Sequence, residues 1–113
     1  VYASDERIKT KIKNFEIGLD FVRLLEPKAY NWTHSKTPRK HFGALAQDMA
    51  KVMDELGVED SSLITVKGYH EKTKEESDDS LKSYDPQQIM WVLFNAVKQL
   101  DAEVQDLKKE LKK

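Results

Sequence analysis

The chain has 113 residues, 39% hydrophobic and 35% charged, with 19 Lys and Arg against 20 Asp and Glu and a net charge of −1. That length fits one small domain with a single core, and the balance of charge excludes a polyanion-binding tail and an acidic disordered segment. With no cysteine, disulfides, thiolate zinc sites and cysteine nucleophiles are excluded as well.

No apolar run is long enough to span a bilayer. Val1 to Glu6 lack the basic start and apolar run of a signal peptide. Without an initiating Met, the chain is expected to be a piece of a longer polypeptide. Residues 1–41 carry nine basic and five acidic side chains, residues 42–85 five and eleven, and residues 86–113 five and four. A basic lobe beside an acidic lobe suits self-association through complementary patches as readily as it fits ordinary surface scatter.

In chain order, Arg7 to Lys13 reads as an extended, partly exposed strand. Leu19, Val22 and Leu25 recur every third residue, which predicts a short helix near residues 17–25, stopped by Pro27. Ala29 to Thr33 is aromatic-rich and reads as a strand, and His34 to His41 as a basic turn. Phe42 to Ala46 fits a buried strand. Gln47 to Leu56 reads as a helix with the face Met49, Val52, Met53 and Leu56, closed by Gly57. Leu63 to Val66 is a further strand, and residues 70–80, wholly polar, form a loop or hairpin tip.

The last segment carries the clearest pattern. Asp85 at the N-cap, Pro86 at N1 and Gln88 at N3 give a capping-box start, and no breaker follows before Lys113. Met90, Leu93, Val97, Leu100, Val104, Leu107 and Leu111 alternate spacings of three and four, a heptad seam of a and d positions. Ile89, Trp91, Val92, Phe94 and Ala96 widen the stripe, so the first half of the helix must also pack on its own domain on several sides. Beyond Leu100 only the seam stays apolar, and the partner expected there is another helix. Glu103 and Lys108 can pair between parallel chains.

Chemistry-bearing motifs are few. There is no internal repeat, phosphate loop, dinucleotide fingerprint or His-Glu-x-x-His motif. His34, His41 and His70 lie in different loops without ligand-like spacing, so neither metal nor cofactor is expected. Tyr30, Trp32 and Tyr69 could stack bases, but aromatics in short strands more often belong to a core. One constellation remains, Ser4-Asp5-Glu6-Arg7-Ile8-Lys9. A serine hydroxyl becomes a nucleophile when a base takes its proton, and a lysine whose amine is neutral can be that base. Five residues apart, Ser4 and Lys9 lie on opposite faces of a straight strand. They can meet only across a bend or between chains.

The same run, followed by Ile12-Lys13, resembles the opening motif of the autoproteolytic intramolecular chaperone domain that ends many bacteriophage tailspikes, tail fibres and neck appendages, endosialidase tailspikes included. The likeness continues in order through Ala29-Tyr30-Asn31-Trp32, through His41-Phe42-Gly43-Ala44-Leu45-Ala46-Gln47-Asp48-Met49, and through Ser83-Tyr84-Asp85 and Ala96-Val97-Lys98-Gln99-Leu100. The departures are Asp48 in place of the usual Glu, Pro86 after the Tyr-Asp pair, and the polar 70–80 loop.

The resemblance implies an α+β fold: a small mixed domain of short strands and helices over residues 1–84, then a C-terminal helix over 85–113 in a trimeric coiled coil. Such a domain trimerises, holds the upstream β-rich stalk of the same polypeptide in register, and then cuts itself off. It acts in the host cytoplasm during virion assembly and leaves the mature fibre. Carried over, Ser4 is the nucleophile and Lys9 its general base, within one chain or across two, and the bond cut is Ala3–Ser4 or Ser4–Asp5. Asp5 would help position the site. Arg7, if buried near Lys9, would favour the neutral amine. Gln47 is either a donor to the site or simply the start of the middle helix. Without a phosphate loop, no ATP dependence is expected. Val at a with Leu at d favours two strands, so the globular part and the stalk are expected to fix the trimer. The competing readings are a non-cleaving homo-oligomerisation module at the end of a fibrous protein, and a nucleic-acid-binding domain using the basic stretch from Arg7 to Lys40, which the net charge disfavours. No nucleic acid or membrane partner is expected.

Overall fold

A computed structural model describes residues 3–59, 61–67 and 81–112, with the side chains of residues 65–67 excepted. The elements are a 3-10 turn at Glu6–Ile8, then α1 (Leu19–Leu24), β1 (Lys28–Tyr30), β2 (His41–Gly43), α2 (Ala46–Glu55), β3 (Ile64–Lys67), β4 (Leu81–Tyr84) and α3 (Pro86–Leu111). It is a small mixed domain of helices and two-stranded hairpins with a long C-terminal helix. The polar stretch expected as a loop at 70–80 lies outside the described residues.

The helices follow from local chemistry. In α2, Met49, Val52 and Met53 are buried at helical spacing. The helix stops where Gly57 takes a positive φ of 73°, open to a residue without a Cβ. There the Gly57 N–H donates to the Asp54 carbonyl at 3.0 Å and the Val58 N–H to the Met53 carbonyl at 2.9 Å, so the last carbonyls are satisfied. Helix α1 is one turn and a half long, because Leu25 is already extended ahead of Pro27. Its start is fixed by the Asp20 carboxylate, which accepts from the Gly18 and Phe21 N–H groups at 3.0 and 2.9 Å.

Asp85 caps α3, its carboxylate accepting from the Gln87 N–H at 3.0 Å. The reciprocal half of a capping box does not form. The Gln88 side chain donates to the Asp85 carboxylate and to the Ser62 hydroxyl, at 3.3 and 2.9 Å. The Asp85 N–H donates instead to the Leu63 carbonyl at 2.8 Å, tying the helix to the residue before β3.

The strands pair as two separate antiparallel hairpins, β1 with β2 and β3 with β4. Phe21, Met49, Val52, Met53, Leu63 and Val92 form the core. The stretch Phe42–Ala46, expected as a buried strand, is split. Phe42 pairs with Ala29 on the outer face of the first hairpin and is 86% exposed, and Ala46 is buried only as the first residue of α2. A two-stranded ribbon turns alternate residues outward, and here Tyr30 and His41 take the inner face. Nor do Arg7 to Lys13 form a strand. Asp5 satisfies the Arg7 N–H locally, which offers the backbone a turn in place of a ladder, and Lys11 at φ 54° then bends the chain.

Two faces of α3 do different work. Val92 and Ala96 are buried on the domain and Ile89 is packed against the core. Trp91 and Phe94, expected to pack there too, stay about half exposed. All seven seam residues, Met90, Leu93, Val97, Leu100, Val104, Leu107 and Leu111, are exposed. Glu103, expected to pair with another chain, faces Arg23 of α1 at 3.7 Å. With its 26 residues, α3 is about 39 Å long. It makes the molecule elongated: the radius of gyration is 18.2 Å, against about 13 Å for a compact domain of this length.

Candidate functional site at the N-terminal turn

Ser4 and Lys9 meet within one chain. The Lys9 Nζ donates to the Ser4 Oγ at 2.6 Å. On a straight strand the two residues would be about 17 Å apart and on opposite faces. The 3-10 turn removes that separation: the Ile8 N–H donates to the Asp5 carbonyl at 3.2 Å and the Lys9 N–H to the Glu6 carbonyl at 3.1 Å.

Asp5 holds the turn. It is the N-cap residue, its Oδ1 accepting from the Arg7 N–H at 2.9 Å. The Arg7 guanidinium grips the same carboxylate on both oxygens, Nε to Oδ1 at 3.0 Å and Nη2 to Oδ2 at 2.8 Å. These Arg7 hydrogen bonds, side chain first and backbone second, lower the Asp5 pKa below its ordinary value, and the same pairing raises that of Arg7. Arg7 is not buried beside Lys9: its side chain is 85% exposed and committed to Asp5. Ser4 and Lys9 are exposed too.

Gln47 sits in the first turn of α2, exposed. It lines a cleft with Tyr30, Trp32, Lys82 and Tyr84, and no hydrogen bond joins it to Ser4 or Lys9. Tyr30 and Trp32 are not core. Their rings meet edge to face at 5.1 Å, and the His34 and His41 rings lie within 6 Å of Trp32. The two histidines, expected in separate loops, thus share one surface ring cluster. Among the described residues, no three His, Asp or Glu side chains gather as metal ligands, and no helix is long and apolar enough to cross a membrane.

Sequence reasoning missed the residues that anchor this segment. The Asn95 Nδ2 donates to the Phe15 and Ile17 carbonyls at 3.0 and 3.1 Å. The Gln99 Nε2 donates to the Glu16 carbonyl at 2.8 Å, and its Oε1 accepts from the Leu19 N–H at 2.7 Å. Gly18 lies so close that a Cβ would stand 2.8 Å from the Ala96 nitrogen. The available signal was two amides four residues apart on the same side of α3 as Val92 and Ala96.

Neither a curated protein nor a solved structure matches the chain at a significant level. A family model does: the one described as chaperone of endosialidase, Peptidase_S74, matches residues 4–58. That span opens on Ser4, contains the turn, the first hairpin and α2, and ends just after the Gly57 stop. Over residues 4–58, just under half of its length, the chain is thus similar to the chaperone-of-endosialidase family.

Proposed function

We propose that this chain is a C-terminal intramolecular chaperone that trimerises, registers an upstream β-rich phage fibre or tailspike stalk of the same polypeptide, and releases itself by Ser4–Lys9 autoproteolysis. The observation that carries the reading is the 2.6 Å hydrogen bond between Lys9 and Ser4, made inside the matched segment. In this reading residues 1–84 are the processing part and residues 85–113 the trimerisation helix. The work is done in the host cytoplasm during virion assembly.

Ring size selects the bond. Attack of the Ser4 Oγ on the preceding Ala3 carbonyl carbon closes an oxazolidine-type ring, whereas attack on its own carbonyl would close a strained β-lactone. The Ala3–Ser4 bond is therefore the one cut. The neutral Lys9 amine takes the hydroxyl proton as the Oγ–carbon bond forms. As the carbon–nitrogen bond breaks, the proton passes from Lys9 to the Ser4 nitrogen. Water then hydrolyses the ester, leaving the Ala3 carboxylate and the free Ser4 hydroxyl and amine.

The exposed seam supports the trimer. Seven apolar side chains at heptad spacing face solvent on one side of α3 while the domain occupies another, and a second and third helix would bury them. Joining three chains at one end raises the effective concentration of stalk strands whose register is slow to find. Loss of the device after cleavage leaves the assembled stalk kinetically trapped.

The test is the intact mass of a chain extended well upstream of Val1. It is expected to split at Ala3–Ser4, with Ser4→Ala and Lys9→Ala both staying whole. Splitting of the Ser4→Ala chain at that bond would overturn the nucleophile assignment. An unsplit parent chain would leave the non-cleaving oligomerisation module.

A further inference from the structure

The charges on the turn set a pairing problem. Lys9 shares a short exposed segment with the carboxylates of Asp5 and Glu6 and the cations Arg7, Lys11 and Lys13. Among the described residues the 3-10 turn packs on no other element, so these are the charged groups nearest Lys9 along the chain. An ammonium paired with a carboxylate keeps its proton more firmly, which is the wrong direction for a general base. Asp5 is one residue from Ser4 and is the carboxylate that caps the turn. Yet the Lys9 amine goes to the Ser4 hydroxyl, and both oxygens of Asp5 are taken by Arg7 at 3.0 and 2.8 Å. A planar guanidinium fork satisfies a carboxylate in two places at once, which a lysine ammonium does not match.

We propose that Arg7 is a positioning residue that occupies the Asp5 carboxylate and so leaves the Lys9 amine to Ser4. The proposal rests on the self-cleavage reading and adds the control of its base. Arg7 does not act by lying beside Lys9. It acts through Asp5, whose charge would otherwise draw the amine off the hydroxyl. Asp5 has two roles that a substitution can separate. Its Oδ1 caps the turn, a role an Asn side chain also fills, and its negative charge is the hazard that Arg7 contains.

The experiment measures cleavage rate in the upstream-extended chain by intact mass. Arg7→Ala is expected to slow cleavage about tenfold near neutrality. The double variant Arg7→Ala/Asp5→Asn is expected to return to within about threefold of the parent, because the cap persists and the competing charge is gone. Arg7→Ala/Glu6→Gln is expected to stay slow. A merely structural Arg7 would give a double variant as slow as the single one, and that result overturns the proposal, as does an Arg7→Ala chain with the parent's rate. A second readout needs no cleavage. The nuclear Overhauser contact between the Ser4 β-protons and the Lys9 ε-protons is expected in the parent, lost in Arg7→Ala and regained in the double variant. If the contact follows that pattern while the parent stays uncut, the self-cleavage reading fails and the pairing stands. If the contact is the same in all three chains, the pairing fails.

Discussion

Asp5 decides whether the turn around Ser4 exists, because one carboxylate both caps the 3-10 turn and engages Arg7. Its lowered pKa fixes the acid limit. A carboxylate whose pKa is depressed by native hydrogen bonds lends stability above its unfolded pKa and loses it as pH falls through the depressed one. The Asp5–Arg7 pair is therefore expected to survive the pH range in which free aspartates titrate and to break only below it, as read from the Arg7 Nε proton shift. Gly18→Ala is expected to destabilise the protein by about 1–3 kcal/mol, read as a lower melting temperature, since the added carbon would meet the Gln99 Oε1 at 2.7 Å and the α3 backbone at 2.8 Å. The pairing of Ser4 with Lys9 was legible only as a condition: a five-residue spacing needs a bend. The bend itself was hidden, because Asp5 as an N-cap looks like any other charged residue until its carboxylate meets the Arg7 N–H. Gly18 was hidden for another reason, as its crowding comes from a helix late in the chain.

At the level of elements, α2 and α3 were readable because each carries an apolar period in consecutive residues, with the Gly57 stop after α2 and the Asp85 cap before α3. Three strands were placed to within three residues, β4 was not anticipated, and Arg7 to Lys13 form no strand; which face a strand buries depends on a partner that local pattern does not name. Phe42 shows this: an apolar residue in an apolar run, it faces solvent because its hairpin has only two strands. Gln99 and Asn95 were unreadable as anchors, since their acceptors are backbone carbonyls about 80 residues away. Gln99→Ala would leave the part-buried Leu19 N–H without its acceptor, with an expected cost of about 1–3 kcal/mol in chemical denaturation. Leu63→Ala, at the centre of the core, is expected to cost about 2–5 kcal/mol by the same measurement.

For the whole molecule, the decisive arrangement is that α3 presents one side to its own chain and another to solvent. Substituting Leu100→Glu and Leu107→Glu together on the exposed side is expected to reduce the light-scattering mass to that of one chain while the circular dichroism spectrum of the globular part is kept. An unchanged mass would mean that the exposed seam carries no contact between chains. The amide clamp on residues 15–19 has a mechanical consequence. Tension arriving at the N-terminal end crosses to α3 through Asn95 and Gln99 before it reaches either hairpin. While those bonds hold, the load runs from Phe15 straight into the helix and bypasses the core residues Phe21, Met49, Val52, Met53 and Leu63.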